Sequence, residues 1–275
     1  MQVIILGSGN PLPHPDRAGP STLVRTAVGD LLFDCGRGVL MRAGAVGSGA
    51  PALRALLLTH LHSDHITDLN DIFTTRWMMS LQPNPLPIYG PRGTADVVRA
   101  MEAMLEPDIG YRITHHDDLN WRPVADVTEV DHGVIFEEGA VRVTAAPTDH
   151  APVRPTVGYR VDEGEHSVVI AGDTVPCAGL DELCDGADVL VNTVVRGDLI
   201  EPLGLPRFTD VLDYHSGVGD AAETAARNGV GTLLLTHLVP PPAPGTEQEW
   251  VDQAQEKFDG RIVLATDLLT LEVGD

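Results

Sequence analysis

The sequence predicts an α/β layer sandwich, two β-sheets packed face to face with helices outside. Three observations predict it. Short runs rich in β-branched and other apolar residues recur along the chain, each bounded by Gly, Pro, Asp or His. Stretches with helical apolar spacing separate some of these runs. The chain has 275 residues, 43% of them apolar, which is enough to bury a sizeable core.

The elements follow in order. Residues 3–6 form a first strand; the opening MQVIILGSGN has no basic stretch before its apolar run and reads as a strand, not a signal peptide. Strands are expected at 22–26, 31–34 and 56–59. Residues 66–81 then place Ile66, Leu69, Ile72, Phe73, Trp77 and Leu81 at helical spacing. A second helix over 93–105 puts Val97, Val98, Met101 and Leu105 on one face. Strands return at 141–145, 157–161, 167–171 and 189–193. A helix at 218–228, a strand at 232–236, a helix at 246–258 and a strand at 261–264 complete the pattern. The Pro-rich residues 239–245 read as a loop. No repeat or linker divides the chain, so residues 1–275 are expected to form one domain. No segment approaches the ~20 apolar residues that a membrane helix needs.

Charge is the strongest compositional constraint. Eighteen Lys and Arg against forty Asp and Glu give −22, and Lys257 is the only lysine. Such a surface repels a phosphate backbone and an anionic membrane. Composition therefore predicts neither nucleic acid nor membrane as a partner. The three cysteines, Cys35, Cys177 and Cys184, form no disulfide framework; free thiols and a reducing, cytoplasmic compartment are expected.

The chemistry concentrates in Leu56 to Leu69, LLLTHLHSDHITDL. An apolar strand runs into His60, Leu61, His62, Ser63, Asp64 and His65, and then a helix. His60 and His62 are two apart, so in extended chain they project to the same side. Asp64 and His65 fall where the chain turns into the helix. Neutral imidazole and carboxylate are good zinc ligands, and the alternation suggests two clusters, His60 with His62 and Asp64 with His65. Three more donors, His150, Asp173 and His237, lie at or just after the ends of other expected strands, where they can complete the coordination. Asp34, Thr59 and Asp68 are candidates to orient the ligating imidazoles. His115-His116-Asp117-Asp118 reads as a surface turn. Residues 77–87, with Trp77-Met78-Met79, read as core, pocket lining or a dimer interface. Residues 196–214 read as a lid, with Arg196 or Arg207 able to meet an anionic group.

These residues resemble the metallo-β-lactamase fold superfamily, whose architecture is a four-layer αββα sandwich. Within it they look most like the ribonuclease Z branch and its arylsulfatase-like and phosphodiesterase relatives. Leu6-Gly7-Ser8-Gly9, Leu32 to Gly38 (LFDCGRG), Ile88 to Thr94 (IYGPRGT) and the segment from His215 to His237 carry the likeness beyond HxHxDH. The resemblance implies that His60, His62 and His150 bind one zinc, that Asp64, His65 and His237 bind a second, and that Asp173 bridges them. Manganese or iron(II) are alternative metals. It implies a hydroxide shared by the ions as nucleophile, Asp64 orienting or deprotonating the water, His215 as a further catalytic histidine, and a homodimer. The tRNA-processing enzymes of the branch carry a long arm between the positions of His150 and Asp173. Here only a strand pair with a turn at Gly164 fits. Arm and charge together lead to the expectation of a hydrolase for small phosphodiesters or sulfate esters. The alternatives are a tRNA 3′-processing endoribonuclease, a lactone or thioester hydrolase, and a non-catalytic metal-binding module.

Overall fold

The computed structural model describes residues 1–274. The first part of the chain lays down β1 (Gln2–Gly7), β2 (Ser21–Thr26), β3 (Gly29–Phe33), β4 (Leu53–Leu57), β5 (Leu86–Gly90) and β6 (Ala125–Glu129). The second lays down β7 (Gly133–Glu138), β8 (Val141–Pro147), β9 (Val157–Glu163), β10 (His166–Ile170), β11 (Val189–Val195), β12 (Thr232–Val239) and β13 (Arg261–Leu264). β14 (Thr270–Glu272) returns to pair with β1. The result is two seven-stranded sheets, ordered β14-β1-β2-β3-β4-β5-β6 and β13-β12-β11-β10-β9-β8-β7. In each, an antiparallel run gives way to parallel strands, at β3–β4 and at β10–β11. Parallel neighbours need long crossovers, and these carry most of the helices.

α1 (Val39–Ala45), α2 (Ser63–Ile66), α3 (Leu69–Met79) and α4 (Thr94–His115) belong to the first sheet. α5 (Ala178–Cys184), α6 (Gly197–Ile200), α7 (Pro206–Thr209), α8 (Val218–Arg227) and α9 (Glu247–Gln255) belong to the second. The period-two alternation of a strand sorts the core into layers. Val3 and Ile5 point between the sheets and meet Phe33, Tyr159, Val191 and Leu234. Ile4 and Leu6 point outward, into a cluster with Phe73 and Val98 of the helical layer. On the far side Leu233 and Leu235 pack under Ala221, Ala222 and Ala225 of α8 and Trp250 of α9. Central strands are buried on both faces, so they read as continuous apolar runs. The architecture is the αββα sandwich.

Four strands lie outside the sequence expectations, β5, β6, β7 and β14. β6, β7 and β14 are edge strands. One face meets water there, so acidic residues such as Glu129, Glu137 and Glu138 replace the apolar run. α1 and α5 are also additional. The single helix expected over 66–81 is two, broken at Thr67 and Asp68, where Cys35 O accepts the Asp68 amide at 2.9 Å. The helix expected to end at Leu105 continues through Pro107 to His115, with Ile109 buried beneath it. Residues 196–214 hold α6, α7 and two 3-10 turns instead of a bare loop. Trp77 is core: it is buried and its Nε1 donates to Trp121 O at 2.9 Å, while Met79 and Leu81 stand exposed. His115 and His116 are exposed at the end of α4. Cys35 and Cys184 are buried thiols and Cys177 is half-buried. Among the described residues, no helix is long and apolar enough to cross a membrane.

Candidate metal centre

Strand ends build the site. β4 leaves the sheet at Leu57 and delivers His60 and His62; the short α2 turns Asp64 and His65 inward. His150 follows β8, Asp173 follows β10, His237 lies in β12 and His215 lies just before α8. Gly172 makes the Asp173 turn feasible. Its φ of +67° is left-handed, and a Cβ there would come within 2.7 Å of Thr59 Cβ. Asp34 and His237 are left-handed without being glycine, at φ 56° and 50°. Such positions persist where surrounding contacts over-determine them. For Asp34 those contacts are visible. Its Oδ1 accepts the Thr59 amide, and its Oδ2 accepts Thr59 Oγ1 and faces His65 Nδ1, all at 2.8 Å.

The eight side chains lie together in overlapping groups able to hold metal: His60, His62, His150 and Asp173; Asp64, His65 and His237; Asp173, His215 and His237. Within each group, ligand atoms lie within 4.8 Å of one another. His62 Nδ1 lies 3.1 Å from His60 Nε2 and 3.4 Å from His150 Nε2. Asp173 Oδ2 lies 3.7 Å from His60 Nε2, 3.4 Å from His65 Nε2 and 3.6 Å from His237 Nε2. Asp64 Oδ2 lies 3.4 Å from His237 Nε2 and 3.6 Å from His65 Nε2. Asp64 Oδ2, His65 Nε2, Asp173 Oδ1 and His237 Nε2 are buried with no hydrogen-bond partner among the described residues. Orphaned buried donors and acceptors are costly, and a bound cation satisfies them together. The residues fit a divalent metal.

Three further ring nitrogens are tied down, while His237 Nδ1 is buried without a partner among the described residues. His60 Nδ1 meets Thr59 Oγ1 at 2.9 Å, and His150 Nδ1 donates to Tyr214 O at 2.7 Å. His215 Nδ1 donates to Val211 O at 2.9 Å, while its Nε2 lies 3.2 Å from Asp173 Oδ2. Thr59 and Asp34 thus sit where the sequence reading puts them, orienting imidazoles. Asp68 does not: its Oδ2 accepts the Leu40 amide at 3.2 Å and holds the start of α1. The carbonyls of Tyr214 and Val211 lie outside any sequence reading, because every residue has a carbonyl and only the fold aims one.

Electrostatics favour the neutral form of His60, His62 and His150, whereas at His65 burial opposes a charge but Asp173 and Asp34 outweigh it and raise that imidazole well above the ordinary value. Burial, followed by the neighbouring His65, holds His60 well below the ordinary histidine value. Burial lowers His62 and brings His150 down to about 4. Neutral imidazole is the form that binds metal. Burial pushes the Asp173 carboxyl up, but His237 and His65 outweigh it and hold that carboxyl well below the usual range. Burial also opposes a charge on His215, and the hydrogen bond to Asp173 overrides it, raising His215.

Beside the cluster lies a cavity of about 260 Å³. It is lined by His62, Asp64, Asp173, His215 and His237 together with Leu12, Phe208, Val211 and Tyr214, and by Arg207. Arg196, by contrast, forks onto Asp198 at 2.7 and 2.6 Å and stacks over Trp250, so it serves as an anchor for the segment.

Fold and donor set define a metal-site protein of the lactamase type, and a beta-lactamase superfamily domain model matches residues 30–238. The chain is 54% identical to the ribonuclease Z of Mycobacterium avium (strain 104), over 99% of this chain and 98% of that one. Among solved structures, it superposes on a metallo-beta-lactamase fold protein of Bacillus subtilis with TM-score 0.74 and 24% identity, covering 98% of this chain and 99% of that one. It superposes on the short form of human tRNase Z with TM-score 0.72 and 23% identity, covering both chains in full. The chain belongs to the ribonuclease Z family of the beta-lactamase superfamily and is a hydrolase of that family.

Proposed function

We propose that the protein is a divalent-metal-dependent endoribonuclease that cuts precursor tRNA on its 3′ side. The observation that carries this is 54% identity over 99% of this chain with a chain named ribonuclease Z. The expectation that nucleic acid is excluded, and with it the preference for small esters, is withdrawn for two reasons. The missing arm does not separate this chain from its relatives, since they match over 98% of their own length. Net charge is also a sum without positions. Screening confines the field of an exposed charge to about 8 Å at physiological salt, so the charges beside the cleft decide what binds there. Arg25, Arg54, Arg142 and Arg227 are each held by a carboxylate, whereas Arg207 at the cavity has no such partner among the described residues.

In this reading His60, His62 and His150 would hold one ion and Asp64, His65 and His237 a second, with Asp173 contributing to the same centre. Imidazole and carboxylate donors without thiolate suit zinc, with manganese or iron(II) as substitutes. Bound ions of this kind supply charge stabilisation and an activated water. The chain's own residues do the rest. Asp64 orients the attacking water and accepts its proton. The water oxygen attacks phosphorus, the bond to the leaving oxygen breaks, and that oxygen needs a proton. His215, facing Asp173 through Nε2 and aimed by Val211 O, supplies it from Nε2. A cytoplasmic homodimer, with free thiols, completes the reading.

The test is a 3′-extended tRNA transcript incubated with metal-loaded protein, with bis(p-nitrophenyl) phosphate in parallel. A single cut beyond the acceptor stem is expected. An intact transcript alongside rapid hydrolysis of the small diester overturns the RNA reading.

A further inference from the structure

We infer that the cavity wall formed by Leu12, Phe208, Val211 and Tyr214, with Arg207 beside it, is a subsite for one nucleotide flanking the scissile phosphodiester. The base stacks on Phe208 and the neighbouring phosphate meets Arg207. The inference rests on the ribonuclease reading above and specifies how RNA is held.

The wall is apolar and reachable by solvent. Leu12 is 55% exposed and Phe208 40% exposed, and both line the cavity that His62, Asp64, Asp173, His215 and His237 also line. Large apolar side chains left open beside a concentrated polar site mark a place for a ligand with one flat apolar part and one charged part. The occupant is limited by size. A cavity of about 260 Å³ cannot take a helix ~10 Å across, but it can take a ring system entering edge-first. It is limited by charge as well. Arg207 directly precedes Phe208, and its exposed guanidinium has no carboxylate partner among the described residues. A planar cation beside an aromatic face suits a phosphate adjoining a base.

The wall is coupled to the reacting centre through its backbone. Val211 O holds His215 Nδ1 and Tyr214 O holds His150 Nδ1, at 2.9 and 2.7 Å. The same short segment therefore presents the stacking surface and aims two of the site's imidazoles. Its start is fixed, since the Arg196 amide donates to Val239 O at 2.8 Å and the Arg196 side chain is pinned by Asp198. A base seated on Phe208 is thereby placed in register with Nε2 of His215. An aliphatic ester would use the apolar wall but leave Arg207 idle.

The test uses full-length metal-loaded protein, Phe208→Ala and Arg207→Gln, both surface changes. The probes are a 3′-extended tRNA transcript and the same RNA carrying an abasic residue on one or other side of the cut. Phe208→Ala is expected to raise KM about tenfold on the intact RNA. That difference from wild type should vanish on the RNA lacking the stacked base. Arg207→Gln is expected to lower the slope of log KM against log salt by about 0.7, one single-strand phosphate contact. Wild-type KM in Phe208→Ala, or a tenfold loss that persists on both abasic RNAs, overturns the subsite while leaving the ribonuclease reading in place. A transcript that wild-type protein leaves uncut overturns the ribonuclease reading and the subsite with it.

Discussion

Asp34 Oδ2 lies 2.8 Å from His65 Nδ1, and the same oxygen accepts the Thr59 hydroxyl at 2.8 Å. One carboxylate, held in a left-handed backbone turn, therefore sets the ring plane of His65 directly and that of His60 through Thr59. Orientation of this kind is worth about 10–100-fold in metal affinity. Asp34→Asn should keep the turn and lose that share of affinity. Competition against a graded chelator series, read by elemental analysis, measures it. Unchanged affinity would mean that Asp34 serves only the turn.

His215→Ala should lower kcat by about 10²–10⁴-fold, the range for a lost general acid, with little loss of bound metal. Turnover and metal content measured on the same preparation distinguish the roles. A parallel loss of both would make His215 a ligand, which its place beside Asp173 and His237 also allows.

Gly172→Ala tests the backbone under the centre. It forces a side chain into a turn at φ +67° and onto Thr59 at 2.7 Å. A cost above about 1 kcal/mol in denaturant unfolding is expected, because strain and contact add. Reduced metal retention should accompany it, since the neighbouring residue is Asp173.

Metal removal should lower Tm without unfolding the protein. The sheets bury their own apolar core, independent of the centre. The loss should come from leaving Asp64, Asp173, His65 and His237 buried without partners. Calorimetry before and after chelation, followed by reloading, checks the direction. A rise in Tm on chelation would contradict the site.

Cys184 gives a pH dependence away from the centre. Burial, then the charge of Asp181, pushes its thiol from 9.0 to about 12. The folded chain thus keeps this proton where the unfolded chain has lost it. The stabilisation is full below pH 9 and disappears as pH rises towards about 12. Unfolding free energy should fall through that window, and less steeply in Cys184→Ala. Native alkylation at pH 8 should reach the half-buried Cys177 ahead of Cys35 and Cys184.

Much of the fold was legible because its central strands carry their burial in composition. Residues 56–58 and 233–235 are apolar throughout, as strands covered on both faces must be. β6, β7 and β14 were not legible, since an edge strand half in water needs no such run. The HxHxDH stretch was legible for a local reason: strand, turn and helix start are consecutive, so four donors converge without help from distant chain. Pairing them with His150, Asp173, His215 and His237 relied on likeness to a family, and bringing those side chains within ligand distance is the work of the tertiary structure. Asp68 shows the limit of spacing arguments, since a residue one turn from His65 turned instead to the Leu40 amide.

By itself, then, the sequence determined the layered sandwich and the nature of the donors, because periodicity and residue chemistry are local properties. Only the tertiary structure decided which donors share a centre, which carbonyls aim them, and that a net charge of −22 leaves Arg207 free at the cavity. Those are relations between residues far apart in the chain, and neither a composition nor a spacing contains a distance in space.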